Sequence, residues 1–190
     1  STTDGKLMIT FMALFDENYA EDISRRAKDS VQYRKRRGIS IGMPPFGTKR
    51  AENGFLTPTD EGAWLLPNGV FVTGSEDMPP TEDAIWRGYY AAAERILTLY
   101  ASGKFGMEKL TYEINGEDWA YRRRDGLPRR FVRDDIRRIV AGWRAYGGAV
   151  QDRSAKDHPG YQIRSEIEAF PFSDERAVFD IRLLRQVALM

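Results

Sequence analysis

The stretch GKLMITFMALFDENYAEDISRRAKDSVQYRKRR, residues 5–37, decides how the rest of the chain is read. Past Gly5 no glycine or proline interrupts it, so it reads as one continuous helix. At about 1.5 Å of rise per residue it would span roughly 50 Å, more than a compact domain needs to cross its own core. Leu7, Met8, Phe11, Met12, Phe15 and Tyr19 recur at spacings of three and four, with Leu14 widening the stripe, and this half asks for an apolar partner. In the second half Arg25, Arg26, Lys28, Arg34, Lys35, Arg36 and Arg37 face the single Asp29. That half asks for a polyanion, and its bases gather where the helix macrodipole favours cations. A core helix with a solvated basic end is the plainer reading of the same residues.

The surrounding chain of 190 residues, 42% hydrophobic and 12% aromatic, can bury the core of one ordinary domain or two small ones. No run approaches the roughly 20 apolar residues of a membrane span, and no signal-peptide pattern opens the chain. Without cysteine there are no disulfides or thiolate metal sites. A soluble, cytoplasmic protein with no membrane partner is expected. A net charge of +1 alone argues against a nucleic-acid binder, but the charges are sorted into blocks. Residues 119–144 hold Arg122, Arg123, Arg124, Arg129, Arg130, Arg133, Arg137, Arg138 and Arg144 against Asp125, Asp134 and Asp135, whereas residues 51–83 hold seven acids and no base. Two basic surfaces and one acidic surface follow.

In order along the chain, Gly38 is placed as a helix-terminating glycine, and residues 38–50 read as an extended linker. Its Pro44-Pro45 pair favours polyproline geometry, and Arg36, Arg37, Lys49 and Arg50 bracket it with positive charge. Such a strap can follow a DNA minor groove, or can be a plain interdomain linker. Asn68-Gly69 between residues 63–66 and 70–72 signals a hairpin. Being acidic, the 51–83 segment should face away from any DNA.

Thr81 reads as the N-cap of a helix ending at Gly103, with Ile85, Tyr89, Ala92, Ile96, Leu97 and Leu99 inward. A second helix follows from Phe105 or Gly106 to Ile114, then a basic loop over 117–130. A third helix spans 132–145, with Val132, Ile136, Ile139, Val140 and Trp143 inward and Arg133, Arg137, Arg138 and Arg144 outward. Residues 149–172 read as a β-hairpin wing. Ser173 reads as the N-cap of a last amphipathic helix carrying Val178, Ile181, Leu184, Val187 and Ala188 inward. Three short helices ending in an arginine-faced one fit a helix-turn-helix or winged-helix arrangement, as they fit any small bundle with a solvated face. The fold class expected is mainly α with small β-hairpins.

No self-sufficient active site emerges. The lone His158 lies in a loop with no carboxylate or thiol pattern around it. Asp134 and Asp135 diverge on a helix and read as ordinary first-turn acids rather than a metal pair. No glycine-rich loop has P-loop spacing. Neither a metal nor a cofactor is expected.

TTDGKLMITFMALFDENYAEDISRRAKDSVQYRKRRGISIGMPPFG (residues 2–47) resembles the long terminal helix and linker of the catalytic domain in serine recombinases, the resolvase, invertase and large integrase family. AAAERILTLYASGKFGMEKLTYEING (91–116) and FVRDDIRRIVAGWRAYGGAV (131–150) resemble the DNA-binding recombinase domain of the large members. The resemblance implies DNA breakage and rejoining through a 5′-phosphoserine link, with no metal or nucleotide. The nucleophile would lie upstream of Ser1, so this piece alone should bind DNA without cutting it. Arg26 falls where the family carries a helix arginine near the active site. Arg25 stands where many relatives have an acid, and Phe131 where a tryptophan is common. The absence of cysteine sets aside the zinc ribbon of the large members, and the chain reads as an internal piece of a longer protein.

The division expected is therefore an oligomerisation and DNA-contacting helix (1–37), a linker (38–50) and a DNA-binding domain (51–190) with an acidic insertion at 51–83. Double-stranded DNA would meet Arg34, Lys35, Arg36, Arg37, Lys49, Arg50 and the nine arginines of 119–144. A second copy would meet Met8, Phe11, Met12, Phe15 and Tyr19. A winged-helix regulator dimerising through its long helix, and a coiled-coil scaffold with solvated arginines, are the rival readings.

Overall fold

The computed structural model describes residues 3–36, 39, 42–148 and 172–190. The opening stretch is one helix, α1 (Thr3–Arg36), of 34 residues. From Met12 to Arg34 its side chains are exposed, with only Asp22 half-buried. The side chains of Phe11, Lys35 and Arg36, and the whole of Arg37, lie outside the described residues.

Beyond α1 the chain mixes short helices with small antiparallel sheets. Strands β1 (Thr48–Arg50) and β2 (Leu56–Pro58) pair with Lys49 opposite Thr57. A three-stranded sheet, in the order β4-β3-β5, joins β3 (Gly62–Leu65), β4 (Phe71–Thr73) and β5 (Ile85–Gly88). Helices α2 (Tyr89–Ala101) and α3 (Met107–Gly116) follow, then strands β6 (Tyr121–Arg122) and β7 (Pro128–Arg129). The described chain closes with α4 (Arg133–Ala141), α5 (Trp143–Tyr146) and α6 (Ile181–Leu189). Helices α2, α3, α4 and α6 share one core in which Ile96, Leu97, Leu110, Ile114, Ile136, Ile139 and Leu184 are fully buried.

The Asn68-Gly69 hairpin forms as expected, with Leu65 opposite Phe71 and Gly69 at φ +80°, a conformation that favours glycine. Several expectations give way. The linker ends early, because 48–50 is a strand. The helix placed at Thr81 starts at Tyr89, because Ile85–Gly88 pairs with β3, tilting Trp86 against Trp64 at 5.2 Å and leaving Ile85 half-exposed. Residues 117–130 are not all loop: β6 and β7 pair around Asp125-Gly126. The helix placed over 132–145 breaks at Gly142, and Val132 is exposed at its cap. Arg144 is half-buried with its guanidinium 5.1 Å over the Trp143 ring, not outward. The last helix is capped by Asp180, whose carboxylate accepts from the Arg182 and Leu183 backbone, and Ser173 instead closes a turn before it. Residues 149–171 of the expected wing, His158 among them, lie outside the described residues.

The strap before β1 is anchored to the core. The Phe46 ring stacks on Tyr121 at 5.0 Å, and meets Tyr89 at 5.4 Å and Phe131 at 5.6 Å. Its carbonyl accepts from the Tyr146 hydroxyl at 2.8 Å. Gly47 follows at φ +82°, where an added Cβ would stand 2.8 Å from the Ala93 Cβ, so only glycine lets the strap lie against α2. Phe46→Ala should lower unfolding free energy by about 2–3 kcal/mol, the lower end of the range for a buried aromatic because Phe46 is half-buried. Urea unfolding would check this, and a loss below about 0.5 kcal/mol would mean the strap is not held by its aromatic anchor.

Candidate nucleic-acid interface

The anchored strap forms one wall of a groove. Residues 43–50, the β6–β7 hairpin and part of α4 enclose a volume of about 680 Å³. Lys49, Arg50, Arg122, Arg123, Arg124, Arg129 and Arg138 line it, with Glu61 and Asp135 as its carboxylates. The strap's basic end and the arginine hairpin are distant in sequence, and Phe46 against Tyr121 is what brings them together.

These cations differ in what already holds them. Arg129 grips Asp135 through two hydrogen bonds, at 2.7 and 3.1 Å, and lies 4.8 Å over the Tyr121 ring. Asp135 is only 3% exposed, and its carboxylate also accepts from the Val132 backbone at 3.0 Å, capping α4. Arg129 therefore builds the groove wall. Lys49 pairs with Asp60 at 2.9 Å, Arg122 with Glu61, and Arg123 with Asp125 at 3.2 Å. Arg50 donates to the Gly42 carbonyl. Arg124 and Arg138 are exposed and make no ion pair among the described residues. Two acids of the 51–83 segment, Asp60 and Glu61, meet the basic surface through these pairs.

The groove offers cations rather than an open aromatic face. Tyr121 already has Phe46 stacked on it and Arg129 over its ring, so its π-surface is taken. Tyr89 is 3% exposed. Burial pushes its phenol up to about 12, and burial likewise raises Tyr146. Both are held neutral in the folded protein while the unfolded chain ionises near 10. Their contribution to stability is complete below pH about 10 and lost as pH rises through the folded values. Melting between pH 8 and 11.5 should show stability falling above pH 10, less steeply in Tyr89→Phe; a flat profile would contradict the burial of these phenols.

Other expected cations lie off the groove. Arg130 pairs with Asp118 at 2.7 Å and donates to the Asn115 carbonyl. On α4, Arg133 reaches Glu108 at 3.4 Å and Arg137 reaches Asp134 at 3.3 Å, both still exposed. Arg34 is exposed near the end of α1, and Arg26 pairs with Asp22 at 2.7 Å. Along the same helix Met8, Met12, Phe15 and Tyr19 are 59–70% exposed. Asp60, Glu61, Asp135 and Phe46 were missed in the sequence as parts of this surface. Among the described residues no group of three or more potential metal-ligating side chains gathers, and no helix is long and apolar enough to cross a membrane.

Comparison with protein-family models, characterised proteins and solved structures finds no match to this chain.

Proposed function

We propose that the chain is the DNA-binding part of a site-specific serine recombinase, joined to the long helix that would end its catalytic domain. The observation that carries the DNA reading is the groove with seven cations and two carboxylates, built from segments far apart in sequence. Phosphate contacts supply most duplex affinity, and clustered arginine and lysine are the side chains that make them. The recombinase assignment rests on the resemblance of residues 2–47, 91–116 and 131–150.

Within this reading α4 is the recognition helix of a helix-turn-helix or winged-helix-like domain, with Arg133, Arg137 and Arg138 exposed along it. Arg138, at the junction of α4 and the groove, serves both roles, the other groove cations and Arg34 to Arg37 fix register on the backbone, and Met8, Phe11, Met12, Phe15 and Tyr19 join two copies. No catalytic serine is assigned within the chain; Arg26 would be accessory, and no metal or cofactor takes part.

Fluorescence anisotropy with labelled duplexes, first of random sequence and then selected from a random pool, tests the reading. The protein should bind random duplex with Kd on the order of 10⁻⁴ to 10⁻⁶ M at physiological salt and select a tighter sequence. Replacing Arg137 and Arg138 by alanine should weaken the preference for that sequence, whereas replacing Arg34 to Arg37 should weaken binding to all duplexes alike. Equal loss of both properties in the two variants would contradict the division of roles, and absence of duplex binding would overturn the function.

A further inference from the structure

We infer that Asp60 and Glu61 act as built-in stand-ins for two DNA phosphates, holding Lys49 and Arg122 until a duplex displaces them and so limiting affinity for DNA. The inference rests on the duplex-binding reading of the groove and adds residues that this reading would otherwise count as repulsive.

The acids are placed by backbone. The Thr59 amide donates to the Gly47 carbonyl at 3.1 Å, tying the segment to the strap, and the Tyr89 amide donates to the Glu61 carbonyl at 2.9 Å, tying it to the start of α2. The Thr59 hydroxyl accepts from the Glu61 amide at 3.2 Å, which steadies the two acids between these ties. Residues 59–61 thus cannot swing away as a segment without breaking the strap's own contacts, and only the two side chains are free to turn.

Those side chains end where phosphate oxygens would. Asp60 lies 2.9 Å from the Lys49 ammonium, and Glu61 accepts from an Arg122 guanidinium nitrogen. The Lys49 ammonium and its hydrogen bond hold the Asp60 carboxyl below its usual range, so it stays ionised wherever DNA is stable. All four side chains are 47–78% open to solvent, so the pairs are exchangeable rather than structural. Asp135 makes the contrast: it is buried, capped onto α4 and gripped by Arg129, and it does not exchange.

Of the groove cations, Arg124 and Arg138 can meet a phosphate without breaking an ion pair, and Lys49 and Arg122 must release a carboxylate first. An exposed ion pair competes weakly, so each should cost the duplex about two- to fivefold in affinity.

The test measures anisotropy of a labelled random-sequence duplex against the whole chain over a salt series. Asp60→Asn with Glu61→Gln should tighten binding by roughly four- to twenty-fivefold at each salt concentration. The control removes the same charge elsewhere through Glu76→Gln with Asp77→Asn, both exposed, and should tighten binding less than twofold. In a Lys49→Met, Arg122→Met background the acid replacements relieve only repulsion and should tighten binding by less than in the unaltered chain; equal tightening in both backgrounds would overturn the inference. Binding unchanged by the acid replacements, or tightened no more than by the control, would overturn the inference while leaving duplex binding standing. No duplex binding by wild type or variants, even at low salt, would overturn both.

Discussion

Asp135→Ala should destabilise the protein by about 3 kcal/mol and lower its melting temperature by on the order of 10 °C. Asp135 is a buried acid at the base of the groove, 3% exposed, and three donors satisfy it: two from Arg129 and the Val132 amide. Removing it leaves a guanidinium under the groove with its partner gone and opens the first turn of α4, which alone costs about 1 kcal/mol. The usual cost of breaking a buried pair is somewhat larger, but the Arg129 side chain is 32% exposed and water recovers part of it. Asp134→Ala is the control: its pair with Arg137, at 3.3 Å and open to solvent, should be worth no more than about 0.5 kcal/mol. Equal stability of the two variants in urea would show that Asp135 is not a keystone of the wall.

Replacing Arg122, Arg123 and Arg124 together by alanine should weaken duplex binding about 100-fold at 0.1 M salt, with the salt slope falling by about 2.7 for three phosphate contacts. Stability should move little, because all three are exposed and two of them sit only in surface ion pairs. Losing Arg122 also leaves Glu61 facing the DNA, which adds repulsion to the lost attraction. Replacing the exposed Lys104, Lys109 and Arg182, which lie outside the groove, removes the same charge and should cost less than about threefold. A comparable loss in both triple variants would mean that the groove has no special role and only net charge counts.

Much of this surface is legible in the sequence and some of it is not, for identifiable reasons. Residues 5–37 announce a helix because nothing in them stops one, and Asn68-Gly69 announces a turn because few other pairs take that backbone easily. Strand β5 was hidden because Ile85, Tyr89 and Ala92 are spaced as a helix face would be. Trp86 is placed instead by Trp64, a partner some twenty residues away that no local window weighs. Strand β1 was hidden by its own charges and by Pro58, which sits at the end of its partner strand. The basic residues of the groove were all visible as cations. That seven of them converge depends on Phe46 finding Tyr121 and Phe131, a tertiary contact between segments read as linker and loop. Asp135 is the first-turn acid its position announced; what stayed hidden is its pairing with Arg129, which lies in a stretch whose strand is two residues long. Asp60 and Glu61 were assigned away from DNA by charge alone. Backbone bonds of Thr59 and Glu61 hold them beside Lys49 and Arg122, where opposite charges pair.

The most direct test of the central claim is the salt dependence of random-duplex affinity for the unaltered chain. With Arg124 and Arg138 engaged at once and Lys49, Arg50, Arg122 and Arg123 recruited from weaker partners, log affinity should fall linearly with log salt at a slope between about −2 and −5. A slope near zero, or no duplex binding at low salt, would contradict the account, because a groove that meets phosphates through these cations must release counterions when it does so.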